Sequence, residues 1–298
     1  MLRYLFAPLL VALSFLTLLP VGVREPTDAE ISRSRGWYPF VGFLYGLLLV
    51  VLSVLCYLLA PRFALSLLPP ALLVAVPALV NRFLHLDGLM DFCDAMWGGR
   101  TAERRLEIMR DSRVGSFAVA GCLCILLVKF AALDSVRLTG WEIGALLLFP
   151  IVSRWTMTLL LTAFPYGRQQ GIGSAFAQGN RPWLATGFAL LSVSAAAWLL
   201  LGPAGMAVLI VVSFLALLLG WWSVRRLGGG LTGDCYGATN EIMETVSLTM
   251  LMALLALPYY GLDPVHVGYG SGVVNSIPIR IAIGLPPESG GWWSYSAQ

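Results

Sequence analysis

Apolar residues run in blocks of about twenty, separated by shorter polar stretches, and no two-residue alternation of the kind strands require appears between them. Blocks of that length match the hydrocarbon core of a bilayer. Candidate spans are Phe40–Ala60, Leu67–Leu84, Val114–Leu133, Ile143–Ala163, Leu184–Leu201, Ala204–Trp222 and Met243–Tyr260. The first twenty residues are apolar too, opened by Arg3 and interrupted by Pro8. No small-residue cleavage pattern precedes Val21-Gly22-Val23-Arg24, so an uncleaved helix that spans or lies in the interface is expected. Pro69, Pro70 and Pro77 make the second candidate irregular. The pattern predicts an all-α, polytopic integral membrane helix bundle of six to eight transmembrane helices. Residues 1–260 read as one membrane-embedded catalytic domain. Residues 261–298 form an atypical tail, rich in Gly, Pro and Ser, with the composition of a disordered segment.

Composition agrees. Apolar residues make up 58% of the chain and charged residues 12%, with a mean hydropathy of +0.80. A soluble domain carries about 25% charge. The net charge of +3, without a basic tract interleaved with aromatics, gives no basis for nucleic-acid binding. Segments 21–39, 85–113, 164–183 and 223–242 hold twelve arginines, while the opposite connections hold two, Arg62 and Arg137. Cytoplasmic loops are enriched in Lys and Arg, so the long connections are expected in the cytoplasm. Five scattered cysteines (Cys56, Cys93, Cys122, Cys124, Cys235) read as small buried hydrophobes. Two histidines in the whole chain are too few for a zinc or haem centre.

Against this background Asp87, Asp91 and Asp94 stand out. Steps of four and three residues put their carboxylates within an arc of about 60° on one helix face. Three aspartates facing lipid would cost on the order of 8–10 kcal/mol, more than a marginally stable fold tolerates. They must face the bundle interior, a cavity or the cytoplasmic boundary, and a divalent cation would relieve their mutual repulsion. A second acidic group follows the glycine run 228–230: with a helix opening near Thr232, Asp234, Gly237, Glu241 and Glu244 share an arc of about 80°. Gly233 and Gly237 would let backbone N–H groups approach a ligand. All six acids are candidate catalytic and metal-binding residues. Magnesium typically takes one or two carboxylates plus substrate phosphates, so two acidic faces closing on a diphosphate would suit it.

Between the motifs, residues 100–109 read as a surface helix with Leu106 and Met109 turned to the bundle and Glu103, Arg104, Arg105 and Glu107 solvated. Arg110, Asp111, Ser112 and Arg113 cluster where the next span begins, and arginine forks match phosphate oxygens. His85 is a candidate general base or phosphate donor, and equally a structural hydrogen-bonding residue. Arg82 and Arg154 either bind phosphate or snorkel to the interface. Residues 166–173 form a polar loop that would either cover a site or simply connect.

The run His85 to Asp94, then Gly98-Gly99-Arg100-Thr101 with Arg104 to Gly115, then Thr232 to Ala238 with Glu241 and Glu244, resembles the cobalamin synthase family. Phe15 to Val21 resembles the start of that family, and the likeness covers roughly residues 10–255. The resemblance implies adenosylcobinamide-GDP ribazoletransferase activity in a multi-helix bacterial inner-membrane protein that requires magnesium. It implies two small-molecule substrates, adenosylcobinamide-GDP and α-ribazole or its 5′-phosphate. A homo-oligomer is left open. Two departures are Leu18, where the family usually has a polar residue, and the chain after about Leu257.

Rival aspartate-rich membrane transferases fit less well. CDP-alcohol phosphotransferases carry Ala-Arg where Asp91 and Phe92 stand, and prenyltransferases carry a second aspartate-rich motif where this chain has glycines and glutamates. An ion-coupled transporter would place its acids near the midplane of two similar halves, and the halves of this chain are dissimilar.

Overall fold

A computed structural model describes residues 2–21, 23–59, 67–136, 142–167 and 182–256. The tail from 257 onward, the last residues of the expected span ending at Tyr260, and the 168–173 part of the polar loop lie outside the described residues. In chain order the helices are α1 (Leu2–Leu16), α2 (Asp28–Ser34), α3 (Tyr38–Leu59), α4 (Leu68–Val80), α5 (Leu84–Gly98), α6 (Ala102–Ile108), α7 (Ser116–Val136), α8 (Glu142–Ala163), α9 (Pro182–Arg226) and α10 (Gly233–Ala256). No strand occurs among the described residues, only an isolated bridge between Tyr166 and Leu231. The protein is an all-α membrane helix bundle.

Local chemistry explains the helix limits. Thr27 and Glu30 form a reciprocal capping box at the start of α2, and the Thr101 hydroxyl accepts from the Arg104 N–H to start α6. Among the described residues four helices are long and apolar enough to cross a membrane, or five if α4 and α5 count as one broken span. The expected irregular span Leu67–Leu84 is helical over Leu68–Val80 and ends there. The chain turns by 92° between α4 and α5, with Arg82 and Phe83 in the left-handed region at φ 56° and 58°. Such residues cost about 1–2 kcal/mol each. The turn is stitched by the Phe83 N–H donating to the Ala78 carbonyl at 2.7 Å.

The helix α9 is really two. Gly202 breaks it at φ 53°, ψ −133°, just before Pro203. A Cβ on Gly205 would strike the carbonyl of Ala197, eight positions earlier, so the chain folds back there. This reproduces the expected pair of spans 184–201 and 204–222. At the centre lies α8, buried along most of its length. Gly42 and Gly46 of α3 admit its backbone so closely that a Cβ at Gly46 would sit 2.7 Å from the Leu147 Cα. Arg225 and Arg226 lie over the rings of Trp221 and Trp222, at 3.9 and 5.4 Å. Such aromatic and basic residues belong at a membrane boundary.

Candidate active site

The helices α5 and α10 cross backbone to backbone. A Cβ at Gly88 would lie 3.2 Å from the Asp234 Cα, and one at Gly237 would lie 3.3 Å from the His85 Cα. The helices run antiparallel, and the first turn of α10 meets the first turn of α5. That crossing puts Asp234 beside the aspartate face. Thr232 links Asp234 to the neighbouring segment, its hydroxyl lying 3.1 Å from Asp234 Oδ2 and 3.4 Å from Met109 Sδ.

A cleft of about 250 Å³ opens next to the crossing. Asp87, Asp91 and Asp94 form one wall, and Arg110, Asp111 and Ser112 the other, with Met90, Met109, Val114 and Ala118 completing it. Asp87 and Arg110 are exposed, whereas Asp91 and Asp94 are half-buried. Asp94 is held by α7: the Gly115 N–H donates to its Oδ2 at 2.6 Å and the Ala118 N–H to its Oδ1 at 2.8 Å. Arg113 grips Asp111 through its side chain, with Nη2 at 2.6 Å from Oδ2. Those hydrogen bonds from Arg113 hold the Asp111 carboxyl down at about 2 and push the Arg113 guanidinium up. The cleft therefore pairs an acidic wall with an Arg-bearing loop.

Glu241 and Glu244 do not join this cleft. They share a face with Asp234, but seven and ten residues at 1.5 Å each carry them about 10 and 15 Å further along α10. There they are buried and paired. Lys129 of α7 bonds both glutamates, reaching Glu244 Oε2 at 2.7 Å, and Arg154 of α8 bonds Glu244. Arg154 is 1% exposed and lies over the Tyr45 ring at 4.6 Å, so it neither snorkels nor reaches the cleft. Two acids and two bases balance, which is how buried charge is tolerated. The quartet borders a narrow cavity of about 20 Å³, room for one water.

His85 lies between these regions and touches neither substrate space nor solvent. It is 1% exposed; Asn240 Nδ2 donates to its Nδ1 at 3.0 Å, and Asn81 Nδ2 lies 3.4 Å away. Asn240 also donates to Glu244 Oε1 at 3.3 Å, so His85 is tied to the ion quartet. Among the described residues no three His, Cys, Asp or Glu side chains gather closely enough to hold a metal ion by themselves.

The model of a family described as cobalamin-5-phosphate synthase matches residues 8–252, which include the cleft and the quartet. The chain belongs to that family. Among its relatives, an adenosylcobinamide-GDP ribazoletransferase of Desulfitobacterium hafniense is 40% identical, covering 82% of this chain and 96% of the relative. One of Geotalea daltonii is 38% identical over 82% and 96%, and one of Pseudomonas putida strain GB-1 is 43% identical over 80% and 95%. No solved structure matches the chain. As a cobalamin-5-phosphate synthase family member the protein is an enzyme, a transferase of cobalamin biosynthesis.

For this family member the structure sorts the expected site residues by position. Asp87, Asp91, Asp94, Arg110, Asp111 and Ser112 line the cleft, and Asp234 stands beside it. Arg113 reaches the cleft only through Asp111. His85, Gly237, Glu241 and Glu244 lie apart from the cleft: His85 and the two glutamates are buried and hydrogen-bonded, and Gly237 packs against α5. Gly233 is exposed at the start of α10. Arg105, expected on a solvated face, is instead 5% exposed and donates to the carbonyls of Arg226 and Arg100. Lys129 escaped the reading of spans, although the signal was present: it is the chain's sole lysine, set in the middle of an apolar run.

Proposed function

We propose that the cleft transfers the cobinamide phosphate of adenosylcobinamide-GDP to the ribose hydroxyl of α-ribazole or its 5′-phosphate, with magnesium, in the bacterial inner membrane. The observation that carries this is the cleft itself, where Asp87 and Asp91 face the loop of Arg110. A shared magnesium needs only one or two protein carboxylates beside the substrate's phosphate oxygens, and two aspartates one helical turn apart fit that need. Bound there by Asp87 and Asp91, the ion would neutralise charge developing on the diphosphate.

The chain's own residues do the rest. Arg110 offers planar donors to the phosphate oxygens. The acceptor's ribose oxygen attacks the cobinamide-side phosphorus, the bond from that phosphorus to the GMP oxygen breaks, and GMP leaves. The hydroxyl proton passes to a cleft carboxylate and on to water. The arginine-rich connections and the Arg–Trp pairs at the end of α9 support a cytoplasmic opening, where both substrates are soluble.

The test is incubation of the purified protein with adenosylcobinamide-GDP, α-ribazole and magnesium, following the corrinoid by visible spectrum and mass and GMP by chromatography. Expected are GMP release matched to corrinoid product and loss of both on chelation. Absence of product with both α-ribazole and its 5′-phosphate, at any magnesium concentration, would overturn the proposal.

A further inference from the structure

We infer that Asp94 is a positioning residue: it caps α7 from the neighbouring helix and so fixes the Arg110–Gly115 loop across the cleft from Asp87 and Asp91. The inference rests on reading the cleft as the active site and departs from the idea that the three aspartates share one task.

Three observations carry it. Both carboxylate oxygens of Asp94 accept backbone N–H bonds at the start of α7, from Gly115 at 2.6 Å and Ala118 at 2.8 Å. The first N–H groups of a helix lack partners within the helix, and Gly115, just before Ser116, has no side chain to supply one. Asp94 satisfies two of them, and its charge suits the positive end of the helix dipole. The fit also requires glycine opposite: a Cβ at Gly115 would lie 2.6, 2.7 and 2.9 Å from the three atoms of the Asp94 carboxyl.

The same residue joins the two walls of the cleft. Asp87 and Asp91 stand on the helix that carries Asp94, while Arg110, Asp111 and Ser112 stand on the loop that ends where Asp94 holds it. At its other end the loop is anchored by Met109, which is buried beside Thr232. Releasing Asp94 would free one end of the loop and leave Asp87 and Asp91 unchanged on α5.

The test uses the full-length purified protein and four variants: Asp94→Asn, Asp94→Ala, Gly115→Ala and the double variant Asp94→Ala/Gly115→Ala. Readouts are kcat, KM for adenosylcobinamide-GDP, the magnesium concentration for half-activation, and hydrogen exchange at the Gly115 and Ala118 amides. Asparagine keeps one acceptor oxygen for one of the two amides, so Asp94→Asn should raise KM less than Asp94→Ala does and leave the magnesium requirement unmoved. Asp94→Ala should raise KM about tenfold and speed exchange at both amides. Gly115→Ala should do the same, and the double variant should be no worse than Asp94→Ala, because the methyl enters the space the carboxyl leaves. The inference is overturned if Asp94→Asn falls as far as Asp91→Asn and needs at least about tenfold more magnesium, with amide exchange unaltered. Near-normal turnover in both Asp87→Asn and Asp91→Asn would instead discard the cleft as the active site, and the exchange measurement would still report whether Asp94 caps α7.

Discussion

The aspartates of α5 and the glutamates of α10 are one functional group in two surroundings. Asp87 opens to a cleft among exposed and half-buried polar groups, with an arginine loop opposite. Glu241 and Glu244 are 5% and 7% exposed, each bonded to a cation from another helix. A hydrated carboxylate can exchange partners for a ligand. A buried one already bonded to Lys129 or Arg154 cannot leave them without stranding a charge. Position along a helix, more than the identity of the acid, separates hydrated from ion-paired carboxylates here.

Breaking the hydrated side of the comparison has the largest expected effect. Asp87→Asn and Asp91→Asn should lower GMP release by about 10³-fold while leaving the thermal midpoint of the purified protein in place. A parallel fall in both would show these acids to be structural.

The buried side should respond in the opposite sense. Lys129→Met strands Glu241, leaves Glu244 with Arg154 alone, and should destabilise the fold by about 3–5 kcal/mol, seen as loss of thermal midpoint or yield. Adding Glu241→Gln, which leaves the Arg154–Glu244 pair balanced, should recover part of it, and full stability in the single variant would deny the quartet its role.

The crossing that joins the regions gives a smaller effect. Gly88→Ala introduces a Cβ 3.1 Å from the Asp234 carbonyl oxygen, so α5 and α10 must separate by a few tenths of an ångström. Overpacking of this kind costs about 1–3 kcal/mol, and turnover should fall with stability. Turnover equal to the parent protein's would mean the crossing does not set the site.

The least effect is expected from pH acting on Asp111. Its carboxyl is held down at about 2 by the hydrogen bonds from Arg113. The pairing is therefore fully present above the ordinary carboxylate range and fades only as pH falls through about 2. Asp111→Asn should leave the pH–rate profile between about pH 5 and 9 unchanged in shape. An acid limb in that window that the parent shows and Asp111→Asn loses would show Asp111 titrating there.

Much of this was legible beforehand. The length of the apolar blocks predicted the helices, and the reversal at Gly202-Pro203 fell between two expected spans. The grouping of Asp87, Asp91 and Asp94 with Arg110 was visible because the acids share a face and the arginine follows one short helix later. The angular argument for α10 grouped its acids by face, and a shared face says nothing about distance along the axis, which sets Glu241 and Glu244 apart from Asp234. The bend at Arg82-Phe83 was hidden because nothing in those two side chains announces positive φ. Lys129 was passed over because a single cation barely lowers the hydropathy of a twenty-residue window, although its cost in lipid is large.

That lysine also constrains how the protein is made. Its partner Glu241 lies 112 residues downstream, so at about 5–20 residues per second the ammonium waits on the order of ten seconds for a counter-charge. During that interval α7 bears a lone charge costing about 2.5–3.5 kcal/mol at the bilayer centre. A nascent chain cut before Gly233 should leave α7 poorly inserted, which glycosylation mapping of its far end would reveal; efficient insertion of the shortened chain would count against this order of assembly. Biogenesis must therefore shelter α7 until α10 arrives.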